Sequence, residues 1–363
     1  MDTEVSVVSE GGASDAKPLR VGIIGCGGIA QTHIRYLKQF PGVSIVCGAD
    51  IRPAALEHMR SAHNVELLFE DFNQMLKEVG DAVDAISVCT PNGVHAPAAI
   101  AAANAGKHVL CEKPMAMNAK EAQEMADAAK ANGVEFVIGF QHRYEPRSQV
   151  LRDMVNAGEF GKIMYVRAQA LRRRGIPNWG VFGRKELQGG GPMIDIGVHI
   201  LETAHSIIGT PRPVSATGNT WTFLGNTQSD VKSVWAGWDY ETYTVEDMAV
   251  GMIRFDNGAM LTLESSFVAH IEQDVFNIQI MGEKGGAIWS TSQIFMDYNN
   301  YMVNSTPAYI GKWDMWEYKM RHFVEVARDG RKNEAPAEHG VMVQKMLDGI
   351  YAAAEAGKEV TID

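Results

Sequence analysis

One short segment constrains this chain more than any other. Gly25-Cys26-Gly27-Gly28-Ile29-Ala30 follows an apolar β-type run and opens a helical stretch, in the frame G-x-G-x-x-A. Gly25 is suited to the tight turn, Gly27 to close approach of a pyrophosphate, and Ala30 to a helix held tight on a sheet. Gly28 and Ile29 begin the helix, whose free N–H groups and dipole favour bound phosphate. Asp50 closes the next β-type run, 20 residues after Ala30, where a carboxylate can hold a ribose diol. The pattern predicts a dinucleotide site. Asp50 favours NAD, because its charge opposes a 2′-phosphate; Arg52 can counter that charge, so NADP stays open.

The surrounding texture agrees. Strands are expected at Arg20–Gly25, Ser44–Asp50, Leu67–Phe69, Ala85–Thr90, His108–Glu112 and Glu135–Phe140. Helices are expected between them, near Gly28–Phe40, Pro53–His63, Asp71–Val79, Val94–Ala105 and Asn118–Asn132. Alternation of this kind implies a doubly wound parallel sheet covered on both faces. After Gln141 the pattern changes. Helices are expected at Pro146–Ala157, Pro192–Ile208 and His339–Glu355. Strands are expected at Lys162–Gln169, Val214–Thr222, Asp247–Phe255, Ala259–Val268, Asp274–Met281 and Gly286–Trp289, with hairpin turns such as Asp256-Asn257-Gly258. The fold class is therefore α/β: a Rossmann domain over residues 19–141, then an α+β domain over 142–363 with an open, mostly antiparallel sheet.

Composition narrows the classes. With 46% hydrophobic and 21% charged residues in 363, the chain is a globular protein of two-domain size. A net charge of −11 argues against nucleic acid as partner. No apolar run approaches the roughly 20 residues of a membrane-crossing helix. Cys26, Cys47, Cys89 and Cys111 lack metal-finger spacing and read as buried free thiols of a reducing compartment. Residues 1–18 read as a flexible leader without the basic start and apolar stretch of a secretion signal, so a cytoplasmic location is expected.

Four segments in order carry a family resemblance: Gly22–Ala30 with Gln31-Thr32-His33, Thr90-Pro91-Asn92-Gly93-Val94-His95, Glu112-Lys113-Pro114, and the glycine run Gly189–Gly191 leading to Asp195-Ile196-Gly197-Val198-His199. Together they resemble the Gfo/Idh/MocA oxidoreductases, over nearly the whole chain from Leu19. The resemblance implies a catalytic set of Lys113, Asp195 and His199, a small-molecule sugar or cyclic polyol as substrate, and a homo-oligomer, dimer or tetramer, formed through the second sheet. It also points to Glu112 beside the cofactor, and to Arg143 and Tyr144 at the border of the substrate pocket.

Each segment also has a physical reading. Thr90 and Asn92 follow a strand at the carboxyl edge where open α/β sheets bind ligands, against the plain alternative of a β–α turn. His95 is expected either near the nicotinamide-side ribose or facing solvent. Lys113 follows the fifth strand at the same edge, with Pro114, a candidate for a cis bond, fixing the chain after it. A cation there stabilises a substrate oxygen gaining negative charge. Asp195 and His199 lie four apart, so one helical face is expected to carry both beside an apolar stripe of Met193, Ile196, Ile200, Ala204 and Ile207. The carboxylate would then orient the imidazole as a general base with a pKa near ~6.5. The plain alternative is a surface ion pair worth about 0.5 kcal/mol. Glu202 extends that stripe, but no cysteine or second histidine joins it at ligand spacing, and no metal is expected. Trp179, in the stretch Arg172–Trp179, reads as a wall against a sugar ring or as an oligomer contact.

The expected reaction is reversible oxidation of a secondary hydroxyl, with His199 as base and Lys113 steadying the oxygen. Two other readings remain at this point: redox-neutral glycoside cleavage using retained NAD, and a non-catalytic dinucleotide sensor.

Overall fold

The computed structural model describes residues 17–311 and 314–363. The expected leader, apart from Lys17 and Pro18, lies outside the described residues. The first half runs β1 (Leu19–Ile24), α1 (Gly28–Leu37), β2 (Val43–Ala49), α2 (Pro53–His63), β3 (Leu67–Phe69), α3 (Phe72–Val79), β4 (Ala85–Val88), α4 (His95–Asn104), β5 (His108–Cys111), α5 (Ala119–Asn132) and β6 (Phe136–Ile138). The six strands form one parallel sheet in the order β3-β2-β1-β4-β5-β6. Winding reverses between β1 and β4, which opens a crevice at their carboxyl ends. The four cysteines are buried and free.

The second half runs α6 (Pro146–Asn156), β7 (Ile163–Leu171), α7 (Lys185–Gln188), a π-helical stretch at Met193–Gly197 continuing into α8 (Val198–Ile207), and β8 (Pro213–Trp221). It goes on through β9 (Met248–Phe255), β10 (Met260–Ser266), β11 (Val275–Gly282), β12 (Gly285–Ile288), β13 (Gln293–Tyr298), β14 (Tyr301–Ser305), α9 (Met315–Asp329), α10 (Ala337–Ala356) and β15 (Val360–Thr361). These nine strands form a mixed sheet, β14-β13-β12-β11-β7-β10-β9-β8-β15, in which β7 and β10 pair in parallel and the other pairs are antiparallel. Val166, Ala168 and Ala170 of β7 point into the core, while Tyr165, Arg167 and Gln169 bond Thr262 and Glu264 of β10 on the opposite, open face.

Two features tie the halves together. Met320, Phe323 and Val324 of α9 share a buried cluster with Val21 and Ile23 of β1 and Ile34 and Leu37 of α1, so a late helix covers one face of the first sheet. Beside it, Ile138 N–H donates to Ala335 O at 2.9 Å.

Candidate active site

The glycine turn is built by necessity. Gly25 has a φ of +85°, and a Cβ there would sit 2.7 Å from the backbone of Cys89 and Thr90. Gly27 caps α1 without a side-chain hydrogen bond, leaving the N-terminus open to a phosphate. Asp50 locks the turn to β2: one oxygen accepts from Cys26 N–H at 2.8 Å, and both receive the Arg52 guanidinium. Arg52 therefore neutralises the Asp50 carboxylate, the pairing the sequence left open.

Across the crevice, the buried hydroxyl of Thr90 has no partner and Asn92 donates to Gln188 O at 3.0 Å. An open helix end and an orphaned hydroxyl at the switch point suit a bound dinucleotide. His95 departs from both readings given above: it is buried, its ring nitrogens facing the carbonyls of Pro114 (2.8 Å) and Thr90 (2.9 Å). It ties the Thr90 turn to the Lys113–Pro114 turn, and burial lowers its pKa.

Glu112 is also internal, against the expectation of a cofactor contact. One oxygen takes Lys319 Nζ at 2.5 Å and His33 Nε2 at 2.7 Å, and the other accepts Lys113 N–H at 3.2 Å. Burial penalises its charge, but Lys319 and His33 outweigh that and hold its pKa well below the usual carboxylate range. Burial chiefly, then the Lys319 charge, pushes His33 down to about 4. In the sequence His33 stands only within the family-like segment, with no role given to it, and Lys319 carries no signal at all; Lys319 lies 207 residues from its partner, beyond any local pattern.

Lys113, before a cis peptide to Pro114, reaches across to the second half. Its Nζ donates to Asp195 O at 2.9 Å and meets Asp195 Oδ1 at 3.3 Å. The segment bearing Asp195 is fixed from behind. Glu246 accepts from Gly191 N–H (2.9 Å), Met193 N–H (3.2 Å) and Tyr351 OH (2.8 Å), and burial raises its pKa. A Cβ on Gly191 would stand 2.0 Å from Glu246 O, so glycine is required.

The expected Asp195–His199 contact does not form. The Asp195 carboxylate, on a π-helical stretch, is spent on Lys113 instead. His199 Nδ1 is buried with no partner. Burial first, then the neighbouring Lys113 ammonium and His142, hold this imidazole well below the usual histidine range. It is a neutral proton acceptor next to a cation.

Arg143 and Tyr144 are corrections too. Both are buried, Arg143 pairing with Glu202 at 2.6 Å and with Glu334 O and His339, and Tyr144 packing on His322 at 5.3 Å. Glu202 is thereby spent, and among the described residues no three His, Cys, Asp or Glu are grouped to hold a metal. The residue of this turn that reaches the site is His142. Its ring meets His199 edge-on at 5.1 Å, and its Nδ1 is gripped by Glu145. In a one-turn 3₁₀ segment, neighbouring residues face different sides, so sequence position could not tell His142 from Arg143.

Trp179 is 51% exposed and stands edge-on to Trp235 at 4.9 Å. Arg172 covers the other ring at 4.7 Å and feels the Asp195 charge. With Phe182, Arg184, Trp238, Asp239 and Tyr243, Trp179 lines a small depression of about 80 Å³.

Comparisons with known proteins agree with this architecture. Residues 19–140 match an oxidoreductase family with an NAD-binding Rossmann fold, and residues 148–288 match the GFO/IDH/MocA C-terminal domain. The D-glucoside 3-dehydrogenase of Escherichia coli (strain K12) is 36% identical over 352 residues, spanning 96% of this chain and 99% of that protein. The myo-inositol 2-dehydrogenase of Thermotoga maritima is 29% identical over 268 residues, 74% of each chain. A solved levoglucosan dehydrogenase in complex with NADH shares the fold with a TM-score of 0.82, at 22% identity over 96% of this chain and 100% of that one.

Proposed function

The chain belongs to the Gfo/Idh/MocA oxidoreductase family, and from that premise we propose that it is an NAD-dependent dehydrogenase that reversibly oxidises a secondary hydroxyl of a cyclic sugar, glycoside or polyol. The observation that carries this reading is the meeting of Lys113 with Asp195, from two distant stretches of chain, beside a neutral His199 at the sheet's switch point.

NAD, when bound, supplies the hydride acceptor. Gly25, Gly27, Gly28 and Ile29 would frame its phosphates while Ala30 holds the helix on the sheet, Asp50 with Arg52 would face the ribose, and Thr90 and Asn92 would border the nicotinamide end. His199 takes the hydroxyl proton, which its depressed basicity permits once the alcohol is polarised by Lys113. Lys113 stabilises the oxygen as its charge grows, and Asp195 keeps the ammonium aimed by holding it through both carbonyl and carboxylate. Trp179 offers an apolar face to a sugar ring at the outer edge. The open face of the second sheet is the surface through which copies of the chain associate.

The test is NAD reduction across a panel of inositols, aldoses and glucosides. Wild type turns over at least one of them. Lys113→Ala lowers kcat about 10²–10³-fold, and His199→Ala about 10²–10⁴-fold. Undiminished turnover in both variants, or glycoside cleavage without NADH accumulation, overturns the reading.

A further inference from the structure

We propose that His142, gripped by Glu145, is a relay group that acts through His199: it receives the proton that His199 takes from the substrate hydroxyl and passes it toward solvent. This rests on the dehydrogenase reading and adds the proton's way out.

The first ground is geometry. The carboxylate–imidazole pair expected of Asp195 and His199 exists in this site as Glu145 and His142. His142 is fixed on every side. Its carbonyl accepts from Ser148 Oγ at 2.7 Å, and Ser148 Oγ accepts from Trp289 Nε1 at 2.8 Å. The second Glu145 oxygen holds Arg147 at 2.5 Å, and Arg147 lies 3.6 Å over the Trp289 ring. Nδ1 being engaged, Nε2 is the free nitrogen of a ring set edge-on against His199.

The second ground is charge. An imidazolium at His199 would sit buried beside the Lys113 ammonium, so a proton taken there has no stable resting place. Facing His142 are Glu145 and, through it, Arg147 from α6, with His199 and Glu202 from α8. Glu202 is already paired with Arg143, and the remaining neighbours, Phe276 and Trp289, are uncharged. Glu145 is the anion in direct contact. A cation at His142 is matched, whereas one at His199 is not.

The third ground is the buried Nδ1 of His199, which has no partner. As the C–H electron pair leaves with hydrogen for the nicotinamide and the O–H pair closes the carbonyl, the hydroxyl proton joins Nε2 of His199. The imidazolium turns about its Cβ–Cγ bond, gives that proton to Nε2 of His142, and turns back neutral. His142, now charged against Glu145, releases the proton to water.

The experiment is the pH dependence of kcat for wild type, Glu145→Gln and His142→Asn, with a sugar that wild type oxidises and NADH binding as a check of folding. His142→Asn should lower kcat about a hundredfold while KM and NADH affinity hold. Glu145→Gln should move the acid limb of kcat to lower pH, because it removes the anion that directly contacts the relay ring and favours a cation on it. Added imidazole should restore part of the rate of His142→Ala. A wild-type kcat in His142→Asn, or an unmoved limb in Glu145→Gln, overturns the relay and leaves the dehydrogenase reading standing. No turnover of any sugar by wild type that binds NADH overturns both.

Discussion

Lys113 depends on one residue for its direction. Asp195 supplies two acceptors to the ammonium, a carbonyl at 2.9 Å and a carboxylate oxygen at 3.3 Å, and these differ in what mutation can remove. Asp195→Asn keeps the carbonyl and loses the charge. Its kcat should fall about tenfold, less than that of Lys113→Ala, because charge-assisted contacts are roughly twice as strong as neutral ones; equal losses in initial-rate assays would contradict that order. At this scale the sequence was legible where a residue type and a strand end coincide, as at Gly25 and Lys113. It was not legible where neighbours diverge in direction. Arg143 and Tyr144 turn inward while His142 faces the site, and Glu112 points away from Lys113 into a buried pair with Lys319.

The π-helical stretch that continues into α8, together with α9, holds the candidate site. Glu246 receives two backbone N–H groups at the head of the π-helical stretch, so Glu246→Ala leaves buried donors unpaired. It should cost about 1–3 kcal/mol per orphaned group in urea unfolding and lower kcat by misplacing Asp195 and His199. Lys319 of α9 is fully buried on Glu112. Lys319→Met takes the ammonium from that carboxylate, leaving it His33 and the Lys113 N–H, and should cost about 3–5 kcal/mol, with part of the loss recovered in Lys319→Met/Glu112→Gln; an additive double variant would deny the coupling. Most strands and helices were readable from periodicity, since each buries an alternating or helical stripe. The π-helical stretch was not, because the same residues continue an α-helix in pattern. Helix α9 and the β13–β14 hairpin went unread for opposite reasons: α9 covers a sheet whose strands lie some 300 residues earlier, and Tyr298, Tyr301 and Met302 on the hairpin are exposed and show no buried face.

Across the whole molecule, several histidines are kept neutral by burial. His33 and His205 are pushed down to about 4 and His339 to about 3. In the unfolded chain these groups bind protons near pH ~6.5, so between that value and their folded pKa values the unfolded state holds more protons. Stability therefore rises with pH across this window and is lost as pH falls through it. Thermal unfolding should show a nearly level Tm at neutral pH and a steep fall below pH ~6; a level Tm down to pH ~4.5 would refute the assignment. At the same scale, sedimentation should find a dimer or tetramer that a negative charge placed on the open face, Thr262→Glu, dissociates. Both sheets and the crevice between β1 and β4 serve one end, the convergence of Lys113, Asp195 and His199. The most direct test is a crystal structure with NAD and an oxidisable sugar. A sugar hydroxyl within about 3 Å of both Lys113 Nζ and His199 Nε2, with its carbon facing the nicotinamide, is the predicted result. A sugar bound elsewhere, with His199 out of its reach, would contradict the account.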